Sequence, residues 1–182
     1  MTDSDAASAI GQVLHMPRTV RALVVEDNAE MRYLLTQMLR QLTTDVVHTA
    51  GSFKEAVHLL GSGEYNLVLI DVGLSENNGI DIIRKVRADA DNRHRSTPML
   101  VVTGQNQLGI VKAAIDAGAD SFVAKPVSLL TLADHVDRVL HHRRPLISEA
   151  PNYFGPDRRR GVYTGYTGPE RRNSVSKSVE WL

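Results

Sequence analysis

The chain has 182 residues, 42% of them hydrophobic, enough for one well-buried domain with appendages and too few for two full domains. Its 21 basic and 21 acidic residues cancel, which excludes a global field drawing it to nucleic acid or an anionic membrane and leaves only local patches. Without cysteine it has neither disulfides nor thiolate metal sites, in keeping with a reducing compartment.

Residues 1–18 are small and polar, with Asp3, Asp5 and a weak apolar patch at Ile10, Val13 and Leu14. They contain no apolar run of the length a signal peptide or membrane span requires, so the protein is expected to be soluble and cytoplasmic. The segment reads as a flexible arm, with a short partner-docking helix as the alternative. From Val20 to Val25 an apolar run broken only by Arg21 predicts a strand ending at Glu26-Asp27. Asn28 then caps a helix whose apolar face is Met31, Leu34, Leu35, Met38, Leu39 and Leu42.

A short strand follows at Asp45–Thr49, and Ser52-Phe53-Lys54-Glu55 is a capping box opening a helix that closes at Gly61 or Gly63. Asn66-Leu67-Val68-Leu69-Ile70-Asp71 is the pattern of a strand buried on both faces, stopped by a carboxylate. The loop to Asn78 leads into a helix from Gly79 with Ile80, Ile83 and Val86 on one side, and the polar stretch Asp89–Thr97 ends it. Met99–Val102 is a fourth strand running out in Thr103-Gly104, and Leu108–Ala117 a helix stopped by Gly118. Ser121–Ala124 is a fifth strand ending in Lys125-Pro126. Ser128 caps a last helix, which His141, His142, Arg143 and Arg144 finish at the end where positive charge suits the helix dipole. Strands alternating with crossover helices predict a doubly wound α/β domain, a parallel sheet with helices on both faces.

In such sheets ligands bind beyond the carboxyl ends of the strands. Those ends carry Glu26, Asp27, Asp71, Thr103 and Lys125, which are therefore expected to share one shallow site. Taken singly each has a structural explanation: acids after a strand start helices, and a lone Thr or Lys-Pro says little. Jointly they point to chemistry. Carboxylates about 4 Å apart repel by about 1 kcal/mol per pair in water-like surroundings and about 4 kcal/mol at an effective dielectric near 20. A divalent cation relieves this, and hard oxygen ligands without His or Cys select Mg²⁺ or Mn²⁺ over zinc. Mg²⁺ bridging carboxylates to phosphate oxygens suggests phosphoryl chemistry, with Lys125 neutralising one phosphoryl oxygen and Thr103 donating a hydrogen bond to another.

Val24-Val25-Glu26-Asp27, Leu69-Ile70-Asp71, Thr103-Gly104 and Ala124-Lys125-Pro126 together resemble the receiver domain of two-component response regulators over about residues 20–143. The resemblance implies a flavodoxin-like five-stranded sheet of order 2-1-3-4-5. It makes Asp71 the phosphoacceptor, charged by a histidine kinase or phosphotransfer protein. Glu26 and Asp27 become the acidic pair that holds Mg²⁺ with Asp71, and Gly73 the residue whose backbone carbonyl completes the metal shell. Thr103 and Phe122 become the switch residues, and Lys125-Pro126 a cis peptide. Output is expected through a downstream protein target, with homodimerisation through the fourth helix, fifth strand and fifth helix, or through the tail. One departure from the family pattern stands in the acceptor loop, where Leu74-Ser75 replaces the usual Met-Pro; Gly73, two residues after Asp71, and Gln105, two after Thr103, occupy the positions that tune phosphoryl lifetime.

The implied domains are an arm at 1–18, a receiver at 19–144 and a Pro/Gly/Arg-rich tail at 145–182. In the tail, Tyr153-Phe154-Gly155-Pro156-Asp157-Arg158-Arg159 recurs thirteen residues later as Tyr166-Thr167-Gly168-Pro169-Glu170-Arg171-Arg172. Three readings stand. The tail is a solvated linker with turns at Gly-Pro, or a docking element laying Tyr153, Arg158, Arg159, Tyr166, Arg171 and Arg172 onto a partner or the domain's own surface. The third is nucleic-acid binding, for which the acid before each Arg pair blunts the attraction to phosphate. Val179–Leu182, with Trp181, adds a candidate terminal anchor. The tail is too short for a helix-turn-helix or catalytic output domain. The alternative from another class is a Mg²⁺-dependent phosphohydrolase with an aspartyl-phosphate intermediate. The primary reading is a signalling switch rather than an enzyme.

Overall fold

A computed structural model of the chain describes residues 20–42, 46–75, 78–105, 108–149 and 153–158. The expected arm at 1–18, the second tail repeat with Arg159, and the Val179–Leu182 anchor lie outside the described residues.

Five strands, β1 (Ala22–Val25), β2 (Val47–Ala50), β3 (Leu67–Ile70), β4 (Met99–Thr103) and β5 (Ser121–Ala124), form one parallel sheet of order β2-β1-β3-β4-β5. This is the order expected. The central strands β1, β3 and β4 are buried at every position, as their unbroken apolar runs require, whereas β2 and β5 at the edges are partly exposed.

Successive side chains of each strand point to opposite faces, so the sheet separates two cores. Leu23, Val25, Val68, Ile70, Met99 and Val101 pack with Ala56 and Leu60 of α2 (Phe53–Ser62), Ile80, Ile83 and Val86 of α3 (Gly79–Ala88), and Ala114 and Ala117 of α4 (Leu108–Ala117). Val24, Leu67, Leu69, Leu100, Val102 and Val123 pack with Leu35, Leu39 and Leu42 of α1 (Ala29–Leu42) and Leu132, Val136 and Val139 of α5 (Leu129–His141).

Local signals account for most helix ends. The Ser52 side chain accepts from Glu55 N, Gly63 closes α2, and Ser128 accepts from Thr131 N. At Gly118, φ is +97°, the left-handed stop read from sequence. Asn28 Oδ1 accepts from Met31 N at 2.9 Å. The second strand sits slightly later than expected, and its first predicted residue, Asp45, is outside the described residues.

One polar centre at the amino ends of β4 and β5 was not foreseen. Arg87 of α3 is 3% exposed and donates to the carbonyls of Gly118 (3.1 Å), His94 (3.3 Å), Arg95 and Thr97 (2.9 Å) and to Asp120 Oδ2 (3.0 Å). Asp120 also accepts from Met99 N (2.8 Å) and from Arg143. Burial brings the Arg87 guanidinium down to about 10 against the opposing pull of Asp120, leaving it charged at neutral pH. Arg143, expected to serve the α5 dipole, instead closes this network.

Beyond α5 the chain forms a β-hairpin where the sequence reading has no regular element: β6 (Leu146–Glu149) pairs antiparallel with β7 (Tyr153–Pro156). A two-stranded ribbon this short has no stability alone, and β7 is held by packing on α3 and α4.

Removing one member of a buried ion pair leaves its partner uncompensated, so Asp120→Ala is expected to cost about 3–5 kcal/mol. Urea denaturation of the two chains measures this.

Candidate functional site

The register of the sheet assembles the site. Val25 pairs with Ile70, so Glu26 and Asp71 leave the sheet side by side, and Asp71 N donates to Val25 O at 2.9 Å. Thr103 pairs with Ala124, and Lys125 N donates to Thr103 O at 2.9 Å, bringing Lys125 to the same end.

The Lys125 ammonium donates to Glu26 Oε2 and to Asp71 Oδ2, each at 2.6 Å. All three groups are withdrawn from solvent, with side-chain exposures of 16% for Lys125, 1% for Glu26 and 10% for Asp71. Carboxylate oxygens of Glu26, Asp27 and Asp71 lie within 4.8 Å of one another. Burial and the neighbouring Asp71 charge push the Glu26 carboxyl up against the pull of Lys125. Burial works against the Lys125 charge, yet its bonds to Asp71 and Glu26 together hold it above the usual lysine range.

Asp27 behaves differently. Ser75 donates to its Oδ2 through both the hydroxyl and the backbone N–H, the latter at 2.9 Å, and the hydroxyl bond holds the carboxyl below its usual value. Arg32 fixes the same turn by donating to the carbonyls of Glu26 (2.6 Å) and Asp27 (3.1 Å).

Gly73 N donates to Asp71 Oδ1 at 3.1 Å. Thr103 is fully buried, and its Oγ1 accepts from Gln105 N at 3.2 Å. A side chain at Gly79 would stand 1.9 Å from the Asp71 carbonyl, so only glycine lets α3 start against the end of β3. The Lys125-Pro126 peptide is cis.

Of the remaining candidates, Phe122 is half-buried against the α2–α3–α4 core and lines a groove of about 310 Å³ between α4 and α5. Tyr153, Pro156 and Arg158 form another wall of that groove. Tyr153 and Arg158 thus sit against the domain's own surface, far along the chain from Asp71. Arg159, Tyr166, Arg171 and Arg172 are outside the described residues. Sequence reasoning missed Arg32 and took Ser75 only as a departure from a loop pattern. The clue to Ser75 is its hydroxyl, but the chain separation from Asp27 hides the contact.

The model of the response regulator receiver domain matches residues 22–137. The chain belongs to this family. This receiver is 34% identical over 131 residues to the response regulator protein PilR of Pseudomonas aeruginosa, covering 72% of this chain and 28% of that protein. It is 32% identical over 145 residues to the transcriptional regulatory protein PdtaR of Mycobacterium tuberculosis, covering 80% of this chain and 63% of that protein. The chain therefore spans less than two thirds of either relative. Chemotaxis protein CheY-3 of Vibrio cholerae is 26% identical over 122 residues, covering 67% of this chain and 92% of that protein. A CheY-like receiver domain protein from Methanospirillum hungatei shares the fold with a TM-score of 0.62 at 23% identity, covering 68% of this chain and 95% of that one. Residues 22–137 are thus a receiver domain of the response regulator class.

Replacing Ser75 by Ala removes the hydroxyl that stabilises ionised Asp27, so the Asp27 carboxyl should titrate higher than in the wild type. Because its folded value lies below the unfolded one, Asp27 contributes stability above about pH 3.8 that is lost as pH falls through the lowered value. Carboxyl-detected NMR titration of wild type and Ser75→Ala checks the direction.

Proposed function

We propose that Asp71 is the residue that takes the phosphoryl group, from a histidine kinase or a histidine-containing phosphotransfer protein. The observation that carries this is the Asp71 carboxylate at the end of β3, with Lys125 Nζ 2.6 Å from one oxygen and the Gly73 N–H 3.1 Å from the other. One carboxylate oxygen attacks phosphorus as the phosphorus–nitrogen bond breaks. The bonding pair leaves on the donor imidazole, and no proton need come from Asp71.

The donor chemistry of Glu26, Asp27 and Asp71 fits a hard divalent cation: three carboxylates within 4.8 Å, with one ammonium to offset them. On this reading these side chains, with the Gly73 carbonyl, would hold Mg²⁺, which when bound neutralises charge on the transferring phosphoryl group. Lys125 then passes from a carboxylate oxygen to a phosphoryl oxygen. Thr103 donates its hydroxyl to another, and the half-buried Phe122 ring moves into the space Thr103 leaves. Phosphorylation adds charge of about −1.5 to −2 and new acceptor oxygens, and the face made by α4, β5 and α5 carries the change to a protein partner.

Residues 19–144 are the receiver on this reading, 1–18 and 145–182 its appendages, and binding rather than turnover is the output. Among the described residues no helix is long and apolar enough to cross a membrane, and a cytoplasmic location agrees with two-component phosphotransfer.

Asp71→Asn should lose phosphoryl incorporation from a competent kinase with Mg²⁺, and chelation of Mg²⁺ should suppress it in the wild type. Radiolabel transfer measures both, and undiminished labelling of Asp71→Asn contradicts the assignment. Phe122→Ala should alter partner binding more than phosphoryl uptake, since a ligand shifts two states only through its differential affinity for them.

A further inference from the structure

The first tail repeat is seated on the receiver by contacts that read specific residues. Gly155 lies against Gly118, and a Cβ on Gly155 would come 2.7 Å from the Gly118 Cα. The Arg158 guanidinium stacks 3.8 Å from the Tyr153 ring centroid and pairs with Asp116 of α4 at 2.5 Å. Tyr153 donates its hydroxyl to the Pro156 carbonyl at 2.7 Å, and Asp157 N donates to Pro145 O at 2.8 Å. Arg95 lies over the Phe154 ring at 4.1 Å. Arg87 braces the seat from beneath by donating to Gly118 O.

The second repeat carries almost every group that this seat reads. Tyr166, Gly168, Pro169 and Arg171 stand at the spacing of Tyr153, Gly155, Pro156 and Arg158, and Glu170 replaces Asp157. Only the aromatic ring under Arg95 is missing, with Thr167 in the place of Phe154. We propose that the seat formed by Asp116, Gly118 and the Arg87 carbonyl cluster takes either repeat, so that Tyr166–Arg172 exchanges with Tyr153–Arg159 on the same chain.

Exchange within one chain follows from the tether. Seating the second repeat lengthens the connection to β6 by thirteen residues, and closure entropy grows only with the logarithm of loop length. A tethered competitor acts at an effective concentration of about millimolar. The first repeat holds the seat through its shorter loop, its pairing with β6 and its Phe154–Arg95 contact. When the second repeat is seated, Phe154 is released and β7 leaves β6. Both registers retain a tyrosine, proline and arginine against α4, but only one presents the hairpin beside Phe122. This exchange does not depend on which residue accepts the phosphoryl group.

The full-length chain labelled with ¹⁵N tests this through the backbone dynamics of Gly168. In Gly155→Val, whose side chain cannot enter the seat, the order parameter of Gly168 should rise above its wild-type value, towards the roughly 0.85 of a rigid backbone. In Gly155→Val with Gly168→Val, the amide of Gly118 should move to a third position, that of the empty seat. Tyr153→Ala, which keeps the backbone free of clashes, should shift Gly168 the same way, and unchanged β1 and β3 amides report an intact fold. The proposal is overturned if Gly168 keeps its wild-type dynamics in both Gly155→Val and Tyr153→Ala. It is equally overturned if Gly118 resonates at one position in Gly155→Val and the double variant. Ordering of Gly168 that disappears on dilution would place the second repeat on another molecule and overturn exchange within one chain.

Discussion

The Lys125 ammonium, held at 2.6 Å from both Glu26 and Asp71, is the interaction around which the functional end of the molecule closes. It crosses the sheet, joining the end of the edge strand β5 to the ends of β1 and β3, two of the three central strands. Without it, burial and like charge would drive the carboxylates apart or protonate one of them, and Glu26 is already pushed upward. One ammonium cannot neutralise three carboxylates, however. The residual negative charge and the hard oxygen donors suit the site to a divalent cation, and on the proposed reading the ammonium would transfer to an incoming phosphoryl oxygen.

At the opposite pole the same fold builds a second charge cluster with a different purpose. Arg87 and Asp120 are buried, multiply bonded and at the opposite end of the strands from Asp71. Their work is to fix the loops after α3 and α4, against which the hairpin lies. Asp120 and Arg143 of this cluster line the groove between α4 and α5, which also has Phe122 in its lining and Tyr153, Pro156 and Arg158 along its edge. Residues 153–158 of the tail, for which docking on the domain's own surface was one of three readings, thus form part of the face through which this receiver is proposed to signal.

How much of this was legible in the sequence follows from range. Central strands were readable because burial on both faces leaves an unbroken apolar run, and caps such as Ser52 and Ser128 act within one turn. The site residues were readable because strand ends of a parallel sheet converge, so position alone placed Asp71 with Lys125. Ser75 on Asp27 and Arg143 on Asp120 were not, since each joins segments far apart and neither leaves a periodic signature. Arg87 looked like an ordinary basic residue in the last turn of α3. The hairpin escaped because its strands are short and irregular in pattern, and its order derives from the surface it covers. The repeat was visible, but which groups it offers became clear only from the glycine-on-glycine contact at Gly118.

The measurement that bears most directly on the central claim locates the phosphoryl group chemically. Borohydride reduction of the phosphorylated full-length chain converts an acyl phosphate of aspartate to homoserine, which mass spectrometry of the peptides then places. Homoserine at position 71 and nowhere else is the result predicted; a modified residue at Glu26, Asp27 or any other carboxylate, with residue 71 intact, would contradict it.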